Sequence, residues 1–329
     1  MEYAELGKSG IKVSRICLGC MGFGDAKLGH HGWVLDEENS KEIIKSALDS
    51  GINFFDTAMG YAGGTSEEYL GRILKKLTAR KNAVIATKFL PRTQEEIANG
   101  ISGQKHVADC LESSLKRLGT DYVDLYICHM WDYHTPIDEI MDGLNAAVKQ
   151  GKVRAIGISN CYAWQLEKAN AIAERNGWAK FVSVQGHYNL LFREEEREMI
   201  PCCEENNIAL TPYSPLASGR LVKAADEITK RLETDTVAKS KYDTTKEQDG
   251  IIIARVAALA EKKGLTKTQI ALGWLLSKVT SPIVGATKVK HIEDAVKAVG
   301  VKLTAEEIAY LEEAYIPHKL VGVMQFNHK

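Results

Sequence analysis

Four features are missing from this 329-residue sequence, and each absence removes a class of function. Net charge is nearly absent: 42 Lys and Arg stand against 43 Asp and Glu, so no global field draws nucleic acid or an anionic membrane. No apolar run approaches the ~18 residues of a spanning helix, and the opening MEYAELGKSGIKVSRI carries early charges where a signal peptide would carry an apolar core. The seven cysteines, at 17, 20, 110, 128, 161, 202 and 203, form no disulfide framework; reduced thiols suit the cytosol, and a cytoplasmic protein is expected. Cys17 and Cys20 make one CxxC, but no second pair at zinc-finger spacing accompanies it, so it reads as strand packing. Nor is there a Gly-x-Gly-x-x-Gly phosphate loop: the glycines of GCMGFG stand at 19, 22 and 24, and no helix follows promptly. Small molecules remain as the expected partners, with no nucleic acid and no membrane.

What is present is a repeat. Eight short β-rich runs recur: RICLGC (15–20), INFFD (52–56), AVIATK (83–88), YVDLYICH (122–129), RAIGIS (154–159), FVSVQ (181–185), IALTPY (208–213) and SPIVGA (281–286). Amphipathic stretches separate them. SKEIIKSALDSG ends on Gly51, TSEEYLGRILKKL opens with a Ser/Thr–Glu start signal, and HVADCLESSLKRLG spaces its apolar residues at three and four before Gly119. Strand followed by helix, eight times, predicts parallel βαβ units closed into an α/β fold, a (β/α)₈ TIM barrel, as one domain over 1–329. Two segments depart from the repeat. YAELGKSGIKVSR reads as a β-hairpin turning at KSG and plugging the lower end of the barrel. Residues 217–249 form a long charged connection where a short loop and helix would suffice, the signature of a lid or binding loop.

Barrel enzymes carry their chemistry where strands end. By strand parity, Ile52 and Phe54 share a face with Asp56, Val84 and Ala86 with Lys88, and Val123, Leu125 and Ile127 with His129. Taken singly, such an Asp caps a turn, such a Lys is solvated and such a His is satisfied locally. Three apolar inner faces each ending in one ionisable group instead converge on one small volume, and Tyr61 follows Asp56 closely enough to fold over the same mouth. Lys88 beside the phenol favours phenolate. Moving Tyr61 from a pKa of about 10 to near 7 takes about 4 kcal/mol, which a charge ~4 Å away supplies at an effective dielectric of ~20. Asp56 would hold Lys88, and neutral His129 would donate to a substrate oxygen. The set protonates a carbonyl oxygen but offers no nucleophile, so a hydride must come from a nicotinamide. Pairing His129 with His187 as metal ligands would suit a barrel hydrolase, but no HxH or paired carboxylate supports a metal site. Trp33, Met59, Phe89, Trp131 and Tyr133 follow strand exits and are expected to wall the substrate pocket.

DTAMGYAGGTSEE, the Lys of ATKF, DLYICH, GISN, QGHYNLL, TPYSPLASGRL and IVGATK, in this order, resemble the aldo-keto reductase superfamily over nearly the whole chain. GCMGFGDAKLGHHGW, MWDYHTPI and YNLLFREEEREMIP resemble its long-chain bacterial branch, near aryl-alcohol dehydrogenase-like and 1-deoxyxylulose 5-phosphate-forming enzymes. The resemblance implies NAD(P)H-dependent reduction of aldehydes or ketones, with Tyr61 as general acid, Lys88 and Asp56 tuning it and His129 orienting the carbonyl. It implies an extended cofactor across the barrel top. Ser159, Asn160 and Gln185 would bind the carboxamide and Tyr213 would stack on the nicotinamide. Ser214, Leu216, Gly219 and Arg220 would cradle the pyrophosphate, with the 217–249 stretch as a cofactor-covering loop; Met21, Asp56 and Gly285 complete the contacts. At the last motif the chain departs from the NADP pattern, with Ala286 at a hydroxyl position, His291 for the usual Arg and Asp294-Ala295 for Glu-Asn. Thr287, Lys288 and Lys290 remain to grip a 2′-phosphate, so NADPH is expected with weak discrimination against NADH. The alternative implied is a nicotinamide-sensing subunit of the potassium-channel β type, which shares the fold.

Overall fold

The computed structural model describes residues 1–29, 32–223 and 235–327. Its first element is the expected hairpin, β1 (Tyr3–Glu5) against β2 (Lys12–Ser14). Gly7 makes the turn possible: its φ is +57°, and a Cβ there would lie 2.3 Å from the carbonyl oxygen of Val182.

Eight parallel strands follow: β3 (Cys17–Gly19), β4 (Phe54–Asp56), β5 (Val84–Phe89), β6 (Val123–Cys128), β7 (Val153–Ser159), β8 (Phe181–Gln185), β9 (Ala209–Leu210) and β10 (Ile283–Gly285). They lie in the order β10-β3-β4-β5-β6-β7-β8-β9. The two end strands meet through isolated bonds without a regular ladder: the N–H groups of Thr280 and Ser281 donate to the Leu210 carbonyl, and that of Ile283 to the Pro212 carbonyl. All eight runs read from the sequence thus become strands of one barrel, shorter than expected at several ends because fraying residues leave the ladder first.

The sheath contains α1 (Glu37–Asp49), α2 (Thr65–Leu77), α3 (Gln94–Ala98), α4 (Gly103–Leu118), α5 (Ile137–Lys149), α6 (Ala163–Asn176), α7 (Met199–Asn206), α8 (Thr236–Tyr242), α9 (Lys246–Lys263), α10 (Lys267–Leu276), α11 (Val289–Ala298) and α12 (Ala305–Glu312). None of these is long and apolar enough to cross a membrane. The 217–249 stretch is not all loop. Asp235 caps α8 by accepting from the Ala238 N–H, and α9 begins at Lys246; residues 224–234 lie outside the described ones.

Parity separates two cores. Phe54, Val84, Ala86, Leu125 and Ile127 fill the barrel interior together with Leu6, Ile11 and Val13 of the hairpin, which is how the hairpin plugs the lower end. Ile52 and Val123 join the outer core between sheet and helices, because Ile52 precedes β4 and Val123 is the first residue of β6. Each fully buried large side chain here contributes about 1.5–3 kcal/mol. The interior is therefore a packed floor, and the polar residues above it stand on fixed supports.

Candidate active site

Asp56 ends β4 level with Ala86 of β5, and Lys88 projects one inward position higher. Its ammonium donates to Asp56 Oδ1 at 2.7 Å, to the Thr57 carbonyl at 2.7 Å and to the Tyr61 hydroxyl at 3.1 Å. All three N–H bonds are thereby used. Tyr61 reaches this position through a tight turn in which Ala62, Gly63 and Gly64 are successively left-handed, with φ of 46°, 62° and 93°. Two glycines accept that backbone freely, while Ala62 is held in it. The turn is fastened behind by Ser66, whose hydroxyl donates to the Cys20 carbonyl at 2.7 Å and lies 3.0 Å from that of Thr57. Glu67, fully buried, ties α2 to β5 through Thr87 and to α4 through Arg117 at 2.6 Å. None of these supports was legible in the sequence, since each bond joins residues that are distant or lie on an outward face.

Tyr61 does not acquire the lowered pKa expected from Lys88. Burial raises it first, the Lys88 charge pulls it down less, and Asp56 pushes it up again. The cation beside the phenol is outweighed by desolvation and by the carboxylate that already neutralises it. Burial also disfavours the charge on Lys88, but Asp56 and Tyr61 outweigh it and its pKa is raised. Tyr61 is thus a neutral phenol whose oxygen accepts from Lys88, leaving its O–H to donate. His129, just past β6, sits edge-on to the Tyr61 ring at 5.8 Å. Burial, then the Lys88 charge, lowers its pKa to about 3, so the imidazole is neutral, and its Nδ1 is buried with no hydrogen-bond partner among the described residues. A neutral phenol and a neutral imidazole face one volume, suited to an uncharged oxygen that gains negative charge.

The second group of expected residues lines the exits of β7 to β10. Ser159 Oγ donates to the Gln185 carbonyl at 2.8 Å; Asn160, at φ +49°, donates from Nδ2 to Ser159 Oγ and to the His129 carbonyl, and accepts from the Tyr213 hydroxyl at 2.8 Å. The Gln185 amide donates to Asp56 Oδ2 at 2.9 Å, a contact that the sequence reading did not foresee. Tyr213 stacks on His187 at 5.4 Å and 7°, and the Lys241 ammonium lies 4.8 Å from the Tyr213 ring centroid. His187 stacks also on Phe192, and its Nε2 is 2.7 Å from the Tyr242 hydroxyl, so its work is to support Tyr213. Beyond Tyr213, Ser214, Ala217, Ser218 and Gly219 all have positive φ, a backbone form that can turn N–H groups toward an anion, although those of Ala217 and Gly219 are bonded to the Ser214 and Leu216 carbonyls. Leu216 lies among them, partly buried. Arg220 pairs with Asp243, lies over the Tyr242 ring and keeps a buried Nη1 with no partner among the described residues. These features fit a pyrophosphate group. Past β10, Gly285, Thr287, Lys288 and His291 are exposed around the start of α11, with Asp294 paired to Lys290; Met21 follows β3, partly buried.

Of the expected substrate wall, Trp131 packs against Trp164 at 6.0 Å, Tyr133 and Met59 are partly buried at strand exits, and Trp33 lies against Gly22. Phe89 requires a correction. It follows the inward Lys88 and so faces outward, where its ring meets Tyr126 at 4.9 Å and His106 at 6.0 Å in the outer core. The parity that located Lys88 had already excluded it.

The family model for the aldo/keto reductase family matches residues 15–316. The chain is 43% identical to versiconal hemiacetal acetate reductase of Aspergillus parasiticus, over 96% of this chain and 98% of that protein. It is 41% identical, over 97% of each, to a protein of Schizosaccharomyces pombe provisionally named an aryl-alcohol dehydrogenase. Among solved structures, a thermostable aldo-keto reductase in complex with the inhibitor epalrestat matches with a TM-score of 0.76 and 29% identity, over 95% of this chain and all of that one. The two named relatives are fungal, and neither name carries a sugar-phosphate activity. The chain belongs to the aldo/keto reductase family.

Proposed function

We propose that this protein reduces an aromatic or otherwise apolar aldehyde or ketone to the alcohol, reversibly, using NADPH or NADH. The observation that carries the reading is the Lys88–Tyr61–His129 geometry: a protonated phenol with its lone pair already engaged and a neutral imidazole beside it. When bound along the arc from Ser159 to Arg220, a nicotinamide supplies the hydride. Tyr61 gives its proton to the carbonyl oxygen and His129 orients that oxygen by donating to it, a general-acid contribution of about 10² to 10⁴ in rate. Lys88 holds the phenol in place and stabilises the charge that Tyr61 takes on; Asp56 and Gln185 hold Lys88. The carboxamide would meet Asn160 and Gln185, and a 2′-phosphate would meet Thr287, Lys288 and His291.

The apolar character of the substrate rests on the groups near the strand exits. Trp131, Trp164, Met59 and Tyr133 are aromatic or apolar, and the exposed Leu28 and Leu90 lie against Gly63 and Gly60 of the turn that carries Tyr61. The relatives named for aryl alcohols and versiconal hemiacetal acetate support the same class. A panel of aryl aldehydes and sugar phosphates assayed by NADPH and NADH oxidation tests it. Turnover of aryl aldehydes that is lost in Tyr61→Phe, with NADPH affinity retained, supports the reading; parental kcat in Tyr61→Phe, or turnover confined to sugar phosphates, overturns it.

A further inference from the structure

We propose that Asn327 is a positioning residue of this reductase site, fixing Asn160 and, through it, the backbone of His129 and the ring of Tyr213. The proposal rests on the carbonyl-reductase reading above. Asn160 is the junction between the substrate and cofactor halves of the mouth: its side chain bonds the His129 carbonyl at 2.9 Å and the Tyr213 hydroxyl at 2.8 Å. It does so from a left-handed backbone, which asparagine tolerates better than other non-glycine residues but which still depends on the bonds that hold it. Part of that constraint comes from Asn327, whose Nδ2 donates to the Asn160 carbonyl at 3.1 Å; the Trp131 N–H reaches the same carbonyl only at 3.5 Å.

Asn327 is 5% exposed and follows a single turn over Gly322–Phe326. Its own carbonyl accepts from the Tyr133 hydroxyl at 3.1 Å, and that hydroxyl accepts from Gln165 Nε2 at 2.9 Å. One residue, 167 positions from Asn160, therefore joins the loop after β6 to the exit of β7. Without its amide the Asn160 carbonyl keeps only the long Trp131 bond, and the left-handed turn is free to relax. Both groups held by Asn160 would move. His129 governs where the carbonyl oxygen sits and Tyr213 where the ring opposite it sits, and a misplacement of ~1 Å in such a pair costs on the order of 10²-fold in rate.

The test compares Asn327→Ala, Asn327→Asp and Tyr133→Phe with the parent, using NADPH and an aryl aldehyde. For Asn327→Ala we expect a Kd for NADPH, read by nicotinamide fluorescence, within a few-fold of the parent. We expect kcat to fall by about tenfold or more, and the primary isotope effect with 4-deuterated NADPH to rise as the hydride step slows. Tyr133→Phe loses the bonds to the Asn327 carbonyl and from Gln165 but keeps the Asn327–Asn160 bond, and should raise KM more than it lowers kcat. A parental kcat and isotope effect in Asn327→Ala overturn the positioning role, whatever its KM. Should that variant lose thermal stability and NADPH affinity together, Asn327→Asp decides through its pH profile: it keeps the packing and can donate only while protonated, so a kcat that falls as this carboxyl ionises supports the role, and a kcat that stays parental across that ionisation overturns it. If the parent binds NADPH yet turns over no carbonyl, the reductase reading fails in the parent itself, and the positioning role falls with it.

Discussion

The Asp56 carboxylate and the Lys88 ammonium meet at 2.7 Å, with side chains 4% and 0% exposed. Such a pair is set by its companions: the second Asp56 oxygen takes Gln185, and the other two Lys88 protons take Thr57 and Tyr61. Removing one member leaves a buried charge unpaired, which costs about 3–5 kcal/mol, whereas removing both does not. Lys88→Met and Asp56→Asn should each lower stability strongly in urea titrations, and the double variant should lose less than the sum. Additive losses would show that the two charges are not coupled.

Because burial raises the Tyr61 pKa and lowers that of His129 to about 3, the reactive protonation states coexist across the neutral range. At saturating NADPH, kcat/KM for reduction should be flat from about pH 5 to beyond pH 9, descending only above the phenol's ordinary value of 10. A descending limb centred near pH 7 would mean that Lys88 wins over desolvation after all.

His106 contributes to the loss of folding stability on the alkaline side. Burial opposes its charge, but Cys110, Glu96 and the Leu90 carbonyl outweigh it and raise its pKa from 6.5 to about 9. The folded chain therefore holds a proton that the unfolded chain releases between these values, so this stability is complete below pH 6.5 and is lost as pH rises through 9. His129 and His187 act in the opposite sense, their lowered values removing stability as pH falls below 6.5. Urea midpoints measured from pH 5 to 9 should fall toward the acid end, and His106→Gln should shrink the fall between 6.5 and 9 while keeping the acid one; above 9 the buried thiols of Cys17, Cys20, Cys128, Cys161 and Cys203, whose pKa values burial raises, add a loss of their own in both proteins.

The exposed group around the start of α11 presents Lys288 and His291 but no arginine fork. NADPH should bind more tightly than NADH by less than about a thousandfold, and His291→Arg should widen the gap. Titration of each cofactor against both proteins checks this; a larger parental ratio, or no change in the variant, refutes it.

The eight strands and the hairpin were legible because a period of two and a recurring strand–helix alternation are local signals. The same parity placed Asp56, Lys88 and His129 on inward faces. It also held the correction for Phe89, one step along from an inward residue. The Tyr61 pKa was misread for another reason: desolvation depends on what covers a side chain, and covering atoms come from distant elements. The bonds from Gln185 to Asp56, Glu67 to Arg117 and Asn327 to Asn160 span 129, 50 and 167 residues, beyond the reach of any window along the chain. Helix α8 was hidden in a charged stretch because its core contacts, Ala238, Lys241 and Tyr242, occupy a single short face.

The full occupation of Lys88 bears on a hazard any aldehyde-handling enzyme faces. A primary amine beside a carbonyl forms an imine when it carries a free lone pair and can reach the carbon. Here the amine is kept as ammonium by Asp56, and each of its protons already points at an oxygen of the protein. The lysine is thus inert toward the compounds handled above it, and a barrel floor that could have served an aldolase is restricted to moving protons.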